Sequence, residues 1–227
     1  MPNVTHFSDL RVGRAEGRGS RYGVRGLDVV VGQRYTITPA AIATGAVCAT
    51  QSAAAAGNLT INGTLASGGV ATLDVPRAVT VTSTGNDSPV NITITGTDAY
   101  GQTLVWTTTG PNAAATTSPK AFKTVTQVSV DTAVVSTLIA IGTGDRFGFP
   151  LKVAKRSDVL VWWDGTLTTT SSGFTAADST GSAKSGDVRG TYSVQSAADA
   201  TKVLDMIVFS ADPDTTDGLF GTVQYSG

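Results

Sequence analysis

Short stretches in which every second residue is apolar recur along this chain of 227 residues. In VNITIT, Val90, Ile92 and Ile94 alternate with Asn and Thr. Successive side chains of a β-strand point to opposite faces, so such a stretch buries one face and hydrates the other. The pattern predicts an antiparallel meander with one buried face. Related stretches are VATLDV, AVTVTS, TLVWTTT, FKTVTQVSV, VVSTLIAIG, DVLVWW, VLDMIVFSA and LFGTVQY.

The composition supports strands and turns over helices. Thr is the commonest residue, and the 17 acidic residues include a single glutamate, Glu16. Asp favours turns, whereas Glu favours helix interiors, and Thr and Val favour strands. GNDSP at 85–89 and GTDAYGQ at 96–102 have the residues of hairpin connections. We therefore expect an all-β fold: an antiparallel β-sandwich or jelly-roll-like body with an extended N-terminal arm, a barrel being the remaining alternative.

The chain divides into an arm and a body. Residues 1–34 combine frequent Gly and Arg without the coherent apolar face that a packed helix needs. We interpret them as an extended basic arm that is either disordered or ordered against a neighbouring subunit. Residues 35–227 form the β-rich body, in which the last strands complete the sheet begun upstream. Within it, 165–186 is a long Ser/Thr/Gly loop and 40–57 a short helix or a loop.

Two adjacent tryptophans, Trp162 and Trp163, lie in the stretch DVLVWW. In a strand their side chains point to opposite faces. One can enter the core, and the other needs covering within the monomer or by a partner surface. Either tryptophan could be the one that is buried in the core.

Residues that commonly carry catalysis are scarce. The chain has one histidine, His6, and one cysteine, Cys48. G-x-S-x-G and S-x-x-K motifs and a P-loop are absent. A zinc site usually takes three or four Cys or His ligands, and one Cys with one His argues against such a site. The run DPDTTDG at 212–218 lacks the spacing and the final Glu of a calcium loop and reads as a turn. We expect no enzymatic activity, catalytic residue, cofactor or metal.

Charge and hydropathy restrict the partners. The net charge of −1 does not suggest a nucleic-acid binder, and no apolar run approaches the ~18 residues of a membrane span. The N-terminus lacks the apolar core of a secretory signal, and a single cysteine leaves the redox compartment open. We expect neither specific nucleic-acid binding nor a membrane association.

Several short signatures follow one another along the chain. They are PRAVTVTSTGNDS (76–88), ITGTDAYGQ (94–102), TGPNA (109–113), KAFKTVTQVSV (120–130), GTGDRFGFPLKV (142–153), GDVRGTY (186–192) and DGLFGTVQY (217–225). In this order they resemble the capsid decoration, or cement, proteins of tailed bacteriophages. The similarity covers about residues 76–225 and carries no active-site residues.

This resemblance implies a structural virion protein that binds the outside of the capsid and stabilises the shell. Its partners would be the major capsid protein and copies of itself, as a homotrimer with arms exchanged between subunits. It would be made in the host cytoplasm and reside on the capsid surface. By the same analogy, one of the two adjacent tryptophans anchors a contact, and the arm supplies inter-subunit or capsid contacts. The residues concerned are Arg11, Arg14, Arg18, Arg21, Arg25, Trp162 and Trp163.

Three other functions remain open at the level of the sequence. The first is a tail, fibre or baseplate component, which copy number would separate from a cement protein. The second is a carbohydrate-binding β module that uses Trp106, Trp162 or Trp163 beside Asp and Asn residues. The third is a glycan hydrolase with a pair of Asp residues, since the sequence has 16 of them and spacing alone excludes no pair.

Overall fold

The computed structural model describes residues 32–169, 171–178, 180 and 182–209. Within them the fold is nearly all β, with one 3-10 turn at Arg156–Asp158 and no α-helix, which confirms the all-β prediction. The strands are β1 (Gly32–Ile37), β2 (Cys48–Ala53), β3 (Gly57–Asn58), β4 (Ala66–Ser67), β5 (Val70–Ser83), β6 (Asn91–Thr97), β7 (Thr103–Thr109), β8 (Ala115–Thr117), β9 (Phe122–Val130), β10 (Val134–Gly148), β11 (Val159–Trp163), β12 (Thr166–Thr168), β13 (Phe174–Thr175), β14 (Thr191–Ser193) and β15 (Leu204–Phe209).

The strands form two antiparallel sheets that curl into a half-barrel. The small sheet has the order β1-β15-β11-β12. The large sheet follows the path β13-β14-β10-β5-β9-β6-β7, and β2, β3, β4 and β8 pair alongside it. The arrangement is consistent with the sandwich-like body expected from the alternating pattern.

Two long strands, β5 and β10, form the centre of the large sheet. VATLDV and AVTVTS, which the sequence presents as separate stretches, join into β5 across Pro76. Pro76 lacks a backbone N–H, and the pairing of β5 with β9 shifts register between Thr72 and Arg77. The pairing of β5 with β10 shifts between Thr143 and Phe147. An irregularity in the ladder therefore lets one continuous strand accommodate the proline.

Two segments differ from their expected form. The Ala-rich stretch 40–57 contains no helix; it forms a loop followed by β2 and the first residue of β3, because it pairs with β10 and β9. The stretch 165–186, expected as one long loop, contains the short strands β12 and β13 among its described residues. Tertiary pairing supplies hydrogen bonds that local propensity did not reveal.

The ends of the body also differ from the expected domain boundary. β1 begins at Gly32, so residues 32–34 of the proposed arm belong to the small sheet. The rest of the arm, with Arg11, Arg14, Arg18, Arg21 and Arg25, lies outside the described residues. The expected last strand LFGTVQY at 219–225 lies outside them too.

Two hydrophobic clusters make up the core. The first is formed mainly by β5, β6, β7, β9 and the beginning of β10, and it contains Trp106. The second joins the inner face of the small sheet to Phe147, Phe149 and Tyr192. β10 contributes to both clusters, with Ile139 and Ile141 in the first and Phe147 in the second. The two sheets are thereby coupled through one strand.

Candidate interaction surface

The outer face of the small sheet is unusually apolar. On β15, Leu204, Met206 and Val208 point into the second core, so Ile207 and Phe209 point outwards. On β11 the buried residues are Val159, Val161 and Trp163, which leaves Leu160 and Trp162 on the outside. Antiparallel sheets usually carry polar residues on the face away from the core. We call this surface the outer face: Leu160, Trp162, Leu167, Ile207 and Phe209, with Arg34, Thr36 and Asp205.

Strand register arranges these residues in rows across the sheet. Trp162 stands opposite Asp205 on one side and Leu167 on the other. Leu160 stands opposite Ile207. Side chains directly opposite on neighbouring strands are close enough to contact. Leu167 is 42% exposed, while Trp162 is half-buried, so the apolar rows remain accessible at the β12 edge.

Gly32 lies under the end of this surface. A Cβ atom at Gly32 would come within 2.7 Å of Ile207 Cγ2 and 3.0 Å of Phe209 Cε1. The absence of a side chain lets Ile207 and Phe209 lie across β1. Gly32 and Phe209 are paired residues, so the segments before Gly32 and after Phe209 both join the body at this corner.

An ion pair forms the polar part of the outer face. Arg34 Nη2 lies 2.7 Å from Asp205 Oδ2, and Thr36 Oγ1 donates a hydrogen bond to the same carboxylate. The hydrogen bond from Arg34 is the main cause that lowers the pKa of Asp205. Arg34 is 67% exposed, so we assign this pair to positioning the edge strand and not to a large stabilisation.

The structure separates the two adjacent tryptophans. Trp163 is buried in the second core, and its Nε1–H donates a hydrogen bond of 2.9 Å to Ser196 Oγ. Trp162 lies on the outer face. Trp106 belongs to the first core. Of the three tryptophans considered for a contact, Trp162 is therefore the one that a partner can reach.

Buried charged residues form a second notable feature, which the sequence reading missed. Arg77 is fully buried between the two cores, with Nε donating to Gly144 O at 2.8 Å and Nη1 to Ala40 O at 2.8 Å. Its Nη2 pairs with Asp145, and its guanidinium lies 5.2 Å from the centre of the Phe147 ring. Every nitrogen of this side chain has a partner, as a buried guanidinium requires.

A second buried pair joins Arg189 to Asp98. Arg189 Nη1 lies 2.6 Å from Asp98 Oδ2, and the guanidinium lies 4.5 Å from the centre of the Tyr100 ring. The other Asp98 oxygen accepts hydrogen bonds from the backbone N–H groups of Tyr100 and Gln102. Asp98 thus holds the β6–β7 turn and binds the segment before β14 at the same time.

These charged residues lie in the quoted signatures. Arg77 belongs to PRAVTV, Asp98 to ITGTDAYGQ, Asp145 to GTGDRFG and Arg189 to GDVRGTY. A charge inside an otherwise apolar stretch, such as Arg77 in β5, was the available signal. Four of the signatures thus contribute residues to the ion pairs inside the body, and the outer face lies outside them.

Among the described residues, no group of three or more His, Cys, Asp or Glu side chains is placed to hold a metal ion. The Asp-rich turn at 212–218 lies outside those residues. No described helix has the length and hydropathy required to cross a membrane.

Comparison of this chain with models of protein families, with curated proteins and with solved structures finds no match.

Proposed function

We propose that this protein is a structural virion component that binds the outside of a phage capsid and stabilises the shell. The observation that carries the proposal is the outer face, where Trp162 and four aliphatic or aromatic neighbours lie on the side of the small sheet away from the core. An apolar patch centred on a tryptophan and edged by an ion pair has the composition of a protein–protein contact.

The position of the outer face supports a joint role with the arm. Residues 1–31 connect to the body at Gly32, whose neighbour across the sheet is Phe209 of the outer face. The five arginines of the arm thus belong to a segment attached at the edge of the apolar patch. A patch that contributes apolar contact and a basic segment that contributes charge suit a junction between shell subunits.

The internal contacts of the body suit a structural role. Two cores share β10, and buried ion pairs connect residues 68 positions apart (Arg77–Asp145) and 91 positions apart (Arg189–Asp98). Such buried ion pairs favour one arrangement of the loops that carry them. They support the proposal because four of the signatures that suggest the family contribute residues to these ion pairs.

We propose a homotrimer whose partners are the major capsid protein and other copies of this chain. Attachment at symmetric junctions multiplies weak single contacts, and linked binding modules gain about 10²- to 10⁴-fold in avidity without any new contact. Each outer face then needs only modest affinity. This oligomeric state rests on the resemblance.

The first experiment measures the number of copies of this chain per purified particle, relative to the major shell protein, by quantitative mass spectrometry. Hundreds of copies in a simple ratio to the shell subunit are expected for a decoration protein. A handful of copies would transfer the chain to the tail, fibre or baseplate. Absence from the particle would overturn the virion assignment and favour glycan binding through Trp162.

The second experiment tests the outer face itself. Trp162→Ser should weaken binding to purified shells at least about tenfold, because central aromatic contacts contribute about 2 kcal/mol or more. Val135→Ser is the matched control, since Val135 is 69% exposed on β10 of the other sheet. Equal binding by both variants, with melting temperatures like that of the wild type, would exclude the outer face as the contact.

A further inference from the structure

Four buried hydrogen-bond donors near β14 have no partner among the residues that the structure describes. They are Lys120 Nζ, Arg189 Nε, Arg189 Nη2 and Thr191 Oγ1. Lys120, Arg189 and Thr191 are almost completely inaccessible to solvent. Buried polar groups in native proteins nearly always find partners, so four unpaired donors from three residues require an explanation.

The chain segments that carry the three residues adjoin one another. Thr191 is paired with Gly148, and a Cβ atom at Gly148 would come within 2.7 Å of Ala121 Cβ. Paired residues of an antiparallel ladder point to the same side. Ala121 and its neighbour Lys120 therefore lie on the side of the sheet towards which Thr191 points.

Asp187 connects the segment of Lys120 and Ala121 to the segment of Arg189 by hydrogen bonds. Its Oδ2 accepts a hydrogen bond of 3.1 Å from the backbone N–H of Ala121, and its Oδ1 accepts one of 2.9 Å from the N–H of Arg189. The carboxylate thus connects the residue after Lys120 to the segment that carries Arg189. The chain segments that carry the four unpaired donors therefore meet around this carboxylate, and we call this region of contact the layer.

The charges around the layer decide what it can hold. Lys120 and Arg189 bring two cationic side chains, and the buried carboxylates of Asp98 and Asp187 match them. Asp178 adds a further negative field at Lys120. A bound anion would leave an excess of negative charge in a medium of low dielectric constant, which is costly. A neutral molecule that accepts and donates hydrogen bonds avoids that cost.

We propose that this layer is an internal hydration site, in which one or more ordered water molecules accept hydrogen bonds from Lys120, Arg189 and Thr191. Water also donates, so it can pass a hydrogen bond on to a neighbouring carboxylate or carbonyl oxygen. Buried water typically makes about three hydrogen bonds to otherwise unsatisfied polar groups. The site goes beyond the proposed function and does not depend on it.

The direct test is a crystal structure at high resolution, determined in parallel from crystals grown with sodium bromide and with sodium acetate. The expected result is a water-sized density peak within hydrogen-bond distance of at least two of the four donors, and no anomalous signal from bromide at that position. An anomalous bromide peak there would overturn the assignment to water. Direct protein partners for all four donors, with no peak between them, would overturn the site.

Magnetic relaxation dispersion of water in solution provides a test independent of crystals, because it counts long-lived internal water molecules. Lys120→Met and Thr191→Val should each lower the count by at least one, and either variant suffices should the other fail to fold. Lys123→Met is the matched control: Lys123 Nζ donates to Leu73 O at 2.7 Å and to Asp74 O at 2.9 Å. An unchanged count in both test variants would refute the proposal.

Discussion

Arg77 Nη2 lies 2.8 Å from Asp145 Oδ1, and this contact connects β5 to β10 between the two hydrophobic cores. The arginine has no accessible surface, whereas the aspartate keeps part of its own. A buried guanidinium in which every nitrogen has a partner favours one particular register of the two central strands. The pair is thus a determinant of how the two cores are joined.

Replacing Arg77 should show how strongly the connection between the two cores depends on it. Arg77→Met should lower the free energy of unfolding by about 3–5 kcal/mol, because it breaks a buried ion pair and leaves its partners without a donor. Urea denaturation measures the effect. The control is Arg34→Met, which removes the exposed pair with Asp205 and should lower the free energy of unfolding far less. Similar losses in both variants would contradict the role assigned to Arg77.

Gly96 is a second point of close packing. A Cβ atom there would lie 1.9 Å from the backbone oxygen of Thr124 on β9, which cannot move without disturbing the ladder. Gly96→Ala should therefore destabilise the fold by more than about 2 kcal/mol.

The control for this substitution is Gly45→Ala. The nearest atom to its new Cβ is Ala49 Cα at 3.4 Å, which is ordinary contact. This variant should be within about 1 kcal/mol of the wild type. Thermal unfolding of the two variants in parallel makes the comparison, and a tolerated Gly96→Ala would show that β6 and β9 can separate locally.

Cys48 offers a chemical probe of the first core. Burial raises the pKa of its thiol to about 12, and it is the single cysteine of the chain. The thiolate is the reactive form, so iodoacetamide at pH 8 should modify the native protein more than ~1000-fold more slowly than the unfolded chain. Intact-mass kinetics with and without denaturant measure this ratio. Rapid modification without denaturant would mean that β2 opens from β10 in the native state.

Lys120 should make stability depend on pH. Burial lowers the pKa of its amine, and the neighbouring Asp187 and Asp178 only partly counter this. The unfolded chain then binds more protons than the native one between the lowered pKa and the ordinary value of 10.5, so the lysine contributes stability that rises with pH in that interval. The other charges around this layer, Asp98 and Arg189, form a pair with each other.

The measurement is the difference in unfolding free energy between the wild type and Lys120→Met from pH 7 to about 10.5. The wild type should gain relative to the variant as the pH rises. Contributions from other titrating groups, including the buried Cys48, are common to both proteins and cancel. A difference that stays constant with pH would mean that Lys120 titrates alike in the folded and unfolded states.

The arm carries a prediction about the shell. Replacing Arg11, Arg14, Arg18, Arg21 and Arg25 by Ala should weaken attachment to shells and reduce its dependence on salt, because exposed charges are screened over ~10 Å at 0.1 M ionic strength. The body should keep its melting temperature. A control with Lys152, Lys155 and Lys184 replaced by Ala removes exposed charges from the body instead. Unchanged attachment in the arginine variant would exclude a role for the arm.

The alternating stretches predicted most of the sheet because burial follows the same two-residue period along β6, β11 and β15. Adjacency showed that Trp162 and Trp163 face opposite sides, but the identity of the inner one depends on the strands that pair with β11. The fold of the Ala-rich segment depended on β10, which lies far away in sequence. Long-range pairing decided each of these points.

The buried charges were beyond prediction for a related reason. Arg189 and Asp98 are separated by 91 residues, and neither has a local pattern that names the other. Hydrophobic periodicity marks such residues as interruptions of a strand or as turn residues. Only the folded arrangement shows that they are paired inside it. The outer face was not predicted because its five apolar members, such as Ile207, resemble core residues in sequence.

The pairing of Gly32 with Phe209 also determines how the body responds to tension. The flanking segments leave from the same end of two neighbouring antiparallel strands. A force that pulls these segments apart would break the hydrogen bonds between β1 and β15 one residue pair after another, beginning at Gly32 and Phe209. The hydrogen bonds would not resist the force together. A neighbouring molecule that binds both flanks would oppose their separation and so reinforce the sheet in the direction of pull in which it is weakest.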